Sequence, residues 1–316
     1  MPGTNFAYSA VAEGFAIDGW RDEMQPFLQK SLVASPIADT TISNDLVQGQ
    51  VVHYPYLEAS GLTAQDYSPH TDIGISASTA TDETLSADQK KVVGTYMDDV
   101  NSLQANYARR QELQKRMAYT LRDTIDQHFF TQSSALTAST ATRLDAGLMT
   151  AGTHDTSGIT AGSATSAGTA GIIDIFSKAR RYMRNNNVPE GGDWYAVIDN
   201  AGAELIERIT IEKGFNLADT TLKNGYMGDF LGFNVYRSSN LYVDSSTAGG
   251  FDSTDYWLFG KLGGIDLAVQ QSPNVVLKDE PKMLGQNIMI WSVYGAKLFT
   301  KKKPFSLVAP ISTVTW

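Results

Sequence analysis

Apolar residues at Val100, Leu103, Tyr107, Leu113, Met117, Leu121, Ile125 and Phe129 recur mostly at steps of three or four. That spacing lays one stripe along an α-helix. No glycine or proline falls between Thr95 and Ala146, and helix formers crowd the middle of the stretch, QANYARRQELQKRMAYTLRDTIDQ. The pattern predicts a helix from Asp98 to Phe130, with Asp98 or Asp99 at the end where a carboxylate suits the helix dipole. From Asn101 to Thr131, at ~1.5 Å per residue, it is about 46 Å long, more than twice an ordinary globular helix. Arg110 and Gln114 interrupt any heptad seam, so the reading is a one-sided spine and not a coiled coil.

The chain ahead of the spine has a different texture. Residues 1–46 read as an arm, with an amphipathic helix inside Glu13–Val33 broken at Pro26. The arm's large apolar side chains have no second element to pack on and are expected to need a partner surface elsewhere. Ser35-Pro36 and ADTTISND follow as extended or turn chemistry. In residues 47–94, GQVVHYPYL, TDIGISAST and QKKVVGTYM alternate with strand period, and the polar pieces EASGLTAQDYSPH and ATDETLSAD separate them. These segments carry too few large apolar groups to build a core of their own. A two-stranded hairpin alone is marginal in water, and exposed strand edges invite pairing with other chains. The long hairpin is therefore expected to lie across another subunit.

Beyond the spine, residues 131–171 are dominated by Ser, Thr, Ala and Gly and read as an irregular connection. GIIDIFSKARRYMRNNNVPEGG then predicts a helix ended by Asn-rich turn chemistry. DWYAVID reads as a short buried strand, and Asn200–Ile211 as a second helix with Leu205, Ile206 and Ile209 inward. The glycine-punctuated segments that follow are strand-rich, and Ile288–Leu298 is apolar enough to return into the interior. Helix, strand, helix and sheet make an α+β unit.

Charge adds a partner. Of the 316 residues 19% are charged, below the roughly 25% usual for soluble domains, which suits a surface covered by copies of itself. The net charge of −9 argues against tight sequence-independent binding to phosphate backbones. From Ser31 to Gln89 there is no Lys or Arg. The acidic residues of that stretch, Asp66, Asp72, Asp82 and Glu83 among them, face a chain whose basic residues cluster at Arg109, Arg110, Lys115 and Arg116 and again at Arg180 and Arg181. These are the candidate inter-subunit contacts, an acidic loop against a basic strip on a neighbouring copy, which sets register more than affinity. There is no cysteine, which excludes disulfides and thiolate chemistry and fits a reducing cytosol. No apolar run approaches the length of a membrane span, and the start lacks a secretory signal.

Catalytic patterns are weak. His53, His70, His128 and His154 are far apart and in no ligand spacing. Asp155-Thr156-Ser157-Gly158 has one residue too many for an aspartic-protease loop, and Glu204 and Glu207 suit a solvated helix face. Trp194 and Trp257 read as packing, and Lys301-Lys302-Lys303 as a solvated run near a terminus. No catalytic, cofactor or metal residue is assigned. The reading from another class is a hydrolase with an unrecognised site in 170–300.

The order of elements resembles the major capsid protein of tailed bacteriophages, of the Hong Kong 97 type. The pieces that carry it are the helix IIDIFSKARRYMRNNN, the turn NVPEGG into WYAVID, and the glycine-flanked strand GDFLGFNVYRSSNL. The resemblance implies an α+β capsid fold: an N-terminal arm (1–46), an extended β-hairpin loop (47–94) and a peripheral domain with the spine helix (95–169, completed by 285–316). Residues 170–284 would be the axial domain. It implies hexamers and pentamers in an icosahedral shell around double-stranded DNA, located in the virion and assembled in the host cytoplasm. A portal protein and a cement or decoration protein are implied partners. The arm follows the initiating Met directly, so a separate scaffolding protein is expected, and an isopeptide cross-link is not, because the loop has no lysine before Lys90. An encapsulin-type nanocompartment shell is the alternative on the same fold.

Overall fold

The computed structural model describes residues 29–46, 49–58, 64, 66–70, 72, 74, 79–98, 109–137, 142, 144, 159–160, 172–190, 193–213, 226–244, 254–279 and 285–312. In chain order come α1 (Ala34–Ile37), β1 (Val51–Leu57), β2 (Ala80–Ser86), β3 (Gln89–Asp98), α2 (Arg109–Thr131), α3 (Ser134–Thr137) and β4 (Ile159–Thr160). Then follow α4 (Ile172–Asn185), β5 (Trp194–Ile198), α5 (Asn200–Lys213), β6 (Tyr226–Phe230), β7 (Phe233–Arg237) and β8 (Val243–Asp244). The chain closes with β9 (Thr254–Lys261), β10 (Asp266–Asp279), β11 (Gly285–Lys297) and β12 (Ser306–Ser312).

The larger sheet runs β4-β12-β9-β5-β7-β6, with β8 on β9. All five residues of β5 are buried, as expected of a strand flanked on both sides. α4 is amphipathic and places Phe176 edge-on to Phe230, Phe233 and Phe259. Its end is set by Asn187, at φ 55°, where Asn tolerates the left-handed conformation that closes a helix. There Val188 N–H donates to the Met183 carbonyl. α5 starts on Asp199, whose carboxylate accepts from Gly202 N–H at 2.8 Å and from Trp257 Nε1–H at 3.0 Å. One side chain thus caps the helix and fixes the buried tryptophan beneath it. Leu231 and Gly232, both at positive φ, make the tight turn between β6 and β7.

The smaller sheet is β10-β11-β3, antiparallel throughout. α2 lies on it through Met117 and Leu121, which pack with Met97, Ile288 and Ile290. Its other end carries Phe129 and Phe130 into the main core with α4 and the larger sheet. The expected stripe therefore bridges two layers: Met117, Leu121 and Phe129 are buried and Leu113 and Ile125 half-buried. Asp98, expected at the start of the helix, is instead the last residue of β3 and pairs with Gly285, while Asp99, Val100, Leu103 and Tyr107 lie outside the described residues.

Several segments differ from expectation. The hairpin's return strand is ATDETLS, paired with β1, and not TDIGISAST, most of which lies outside the described residues. QKKVVGTYM is β3 and pairs with β11, not with the hairpin. β12 leaves the smaller sheet altogether and pairs with β9, and its consecutive residues Leu307, Val308 and Ala309 are all buried, so both of its faces are covered. Ser35-Pro36 lies in a helical turn, where proline is tolerated because the first turn has no N–H to lose. The helix expected within Glu13–Val33 falls almost wholly outside the described residues, as do the side chains of Leu205 and Ile209.

Candidate assembly surfaces and their anchors

The hairpin β1–β2 exposes Val51, Tyr54 and Leu57, with Tyr67 exposed in the loop beyond. Leu57 is 71% and Tyr67 77% exposed, so apolar area stands in solvent at the far end of an element with a thin core. Asp66 and Asp72 are exposed in the same loop. Asp82 sits on β2, where its carboxylate meets His53 Nδ1 of β1 at 2.5 Å.

Glu83 turns toward its own chain. It accepts from Thr300 N–H at 3.0 Å and Thr300 Oγ1–H at 3.1 Å, and faces Lys297 Nζ at 3.4 Å. Of the basic candidates, Arg109 and Arg110 start α2 and their side chains lie outside the described ones. Lys115 is exposed on α2, and Arg116 pairs with Glu112 one turn earlier, at 3.3 Å. On α4, Arg180 faces Glu190 at 4.0 Å beside Arg184, which holds that carboxylate through Nε, and Arg181 is exposed. Glu83 is thus paired with Lys297, which lies outside the basic candidates.

Two buried acidic nodes that the sequence reading passed over fix the arm. Asp126 of α2, 2% exposed, accepts from Val33 N–H at 2.8 Å and Ala34 N–H at 2.7 Å, so a spine side chain caps α1. Its other oxygen accepts from Asn240 Nδ2–H at 2.9 Å. Burial pushes its carboxyl up, and the bonds from Ala34, Asn240 and Val33 only partly offset this. Beside it, Lys30 Nζ donates to Asn240 Oδ1 and faces Asp123. Residues 29–46 are thus docked on their own body, with Val33, Ala34 and Ile37 in the main core. The expectation that the leading segment lacks a covering surface is corrected for these residues, because a polar anchor holds apolar side chains that face a ready-made core.

The second node is Lys302. Its ammonium donates to Asp266 Oδ1 at 2.6 Å and to Asp39 Oδ2 at 3.0 Å. Asp266 is fully buried, with Oδ2 unpartnered. Burial pushes its carboxyl up to about 6, against the pull of Lys302. Burial also works against ionised Asp39, but the bonds from Thr41 and Lys302 outweigh it and hold that carboxyl below the usual range. Two carboxylates share one ammonium, and the deeper one takes the proton first. The middle residue of the lysine run is therefore a structural cation, while Lys301 lies over the Tyr56 ring at 4.6 Å.

Among the described residues, no group of three or more His, Cys, Asp or Glu is placed to hold a metal ion. Burial pulls the His128 imidazole below its ordinary pKa, and its ring stands edge-on to Tyr294. Trp194 and Trp257 are buried in the core, as expected. Glu204 is half-buried and Glu207 exposed on α5, and His154 and Asp155–Gly158 lie outside the described residues.

No known protein-family pattern matches the sequence, and no curated protein matches it. Solved structures do. A chain from Mycobacterium phage Che8 is 17% identical, superposes with a TM-score of 0.69, and covers 93% of this chain and 96% of its own length. The capsid structure of cyanophage P-SCSP1u gives 17% and 0.69, over 96% and 94% of the two chains. The mature capsid of bacteriophage PhiM1 gives 10% and 0.65, over 95% and 93%. The mixed helix-and-sheet fold of this chain is the fold of phage capsid proteins. It is the fold class that the resemblance in the sequence implied.

Proposed function

We propose that this chain is the major capsid protein of a tailed bacteriophage, the repeating subunit of an icosahedral shell around double-stranded DNA. The observation that carries the reading is the agreement in fold with phage capsid structures along almost the whole of both chains. The mechanism is geometric and needs no catalytic centre. The unit built on the larger sheet makes rings by head-to-tail contacts, which close into hexamers and pentamers when the rotation fits. The hairpin, with Leu57 and Tyr67 exposed at its far end, reaches an adjacent copy. Asp66, Asp72 and Asp82 meet a basic strip there, built from Arg109, Arg110, Lys115 and Arg116 or from Arg180 and Arg181. Many weak contacts of this kind give a cooperative shell.

The partners in this reading are further copies of the chain, a separate scaffolding protein, a portal protein and a cement protein. The DNA is contained without sequence-specific contacts, in keeping with a net charge of −9, and the chain is located in the virion after assembly in the host cytoplasm. The test is expression of the chain alone and with a candidate scaffold, followed by sedimentation and negative-stain microscopy. Closed, uniform shells support the reading. Dispersed monomers under both conditions overturn it.

A further inference from the structure

Beyond the main core lies a small second one, assembled from segments far apart in sequence. Ile42 and Leu46 enter it from the arm, Leu85 and Ala87 from the hairpin, Ala268 from β10, and Phe299 from the turn after β11. Leu46 and Leu85 are each 1% exposed and Phe299 3%. Its apolar floor is closed only when arm and hairpin are both in place, since each supplies two of the six side chains.

The same turn fastens both. On the hairpin side, Glu83 holds Thr300, Lys297 Nζ donates to the Thr84 carbonyl at 2.5 Å, and Tyr54 stands edge-on to Phe299 at 5.3 Å. On the arm side, Lys302 holds Asp39. The approach leaves no slack: a Cβ at Gly295 would collide with the Ser86 carbonyl and the Ala87 Cα.

We infer that arm and hairpin are one coupled device, so that loosening either at this second core loosens the other. A close-packed cluster of six side chains cannot lose two and keep the rest dry. Its members therefore open together as a local unit, well below the free energy of global unfolding. Coupling of this kind is reciprocal. On the capsid reading, which this inference extends, a neighbour that seats the hairpin also orders the arm for its own contact. Assembly then proceeds from subunits whose two reaching elements are switched on together.

The test needs no shell. Hydrogen–deuterium exchange is followed on the full chain, at a concentration where light scattering detects single subunits, for two variants that perturb opposite ends. Ile42→Ala lies in the arm and Glu83→Gln in the hairpin, and each removes one contact or one charge-assisted bond. Exchange of the Ala87 amide, which donates to the Gln50 carbonyl at the hairpin root, is expected to rise about tenfold in Ile42→Ala. The Ser43 and Leu46 amides of the arm are expected to rise by a like factor in Glu83→Gln. Amides of β5 and α4 keep their wild-type rates in both. Effects confined to the mutated segment overturn the coupling, and so does an equal rise in β5. Because the chain is dispersed, failure here leaves the shell reading standing, and failure to form shells leaves the coupling standing.

Discussion

Replacing Asp266 by Asn should flatten the pH dependence of stability in a defined window. Its carboxyl is fully buried, with one oxygen bonded to Lys302 and the other unpartnered. Burial raises it from the ordinary 3.8 to about 6. A raised pKa in the fold means that the site contributes stability fully at acid pH, below 3.8, and loses it as pH rises through about 6. The whole span corresponds to about 3 kcal/mol, at about 1.4 kcal/mol per pH unit. Between pH 8 and pH 5 the linkage relation recovers about half of that, about 1.4 kcal/mol. At ~2.1 cal/mol/K per residue, a chain of 316 residues converts this into about 2 °C of melting temperature. Lys302 stays charged throughout the window, because its two carboxylates outweigh burial and raise its pKa. The assay is a thermal melt of wild type and Asp266→Asn at both pH values and one scan rate. Other groups titrate in both proteins and cancel in the comparison. The wild type should gain about 2 °C more than the variant on going from pH 8 to pH 5. A variant that gains more than the wild type would refute the reasoning, since attraction to Lys302 would then exceed the cost of burial.

Asp126→Ala strips the acceptor from two backbone N–H groups and from Asn240. It should cost about 3 kcal/mol and open residues 29–37 to proteolysis before the core, and uniform resistance of that segment would contradict the anchor. Gly202→Ala places a methyl group against the Trp257 ring. About 1–3 kcal/mol of overpacking is expected in denaturant titration, and an unchanged midpoint would mean that the tryptophan has room to move. Phe176→Leu removes three edge-on aromatic contacts between α4 and the sheet. It should lower stability by about 1–3 kcal/mol without changing the exchange of the hairpin.

What the sequence revealed tracks how local its cause is. α2, α4 and α5 were legible because a period of three to four apolar steps is written within each segment. The end of α4 was legible in NNNVP because the left-handed residue is itself an Asn. β2 was not, since ATDETLS is an exposed polar strand with only Leu85 buried, and its order comes from pairing with β1. Lys302 was read as solvated with its neighbours. Nothing local distinguishes it, because its carboxylates lie 36 and 263 residues away. Asp126 left a fainter trace, as a charge flanked by Ile125 and Phe129 on the apolar side of the spine. The six residues of the second core come from four segments, and no single window contains a pattern that joins them.

The claim on which the account rests is that the hairpin needs another copy of the chain to cover it. The direct measurement is a cryo-electron microscopy map of particles assembled from the chain, at a resolution that traces residues 51–86. The account predicts Leu57 and Tyr67, exposed in the single chain, buried against an adjacent subunit, with Asp66 and Asp72 beside its basic residues. A hairpin that stands free in solvent, or folds back along its own subunit with no neighbour touching it, would contradict the account.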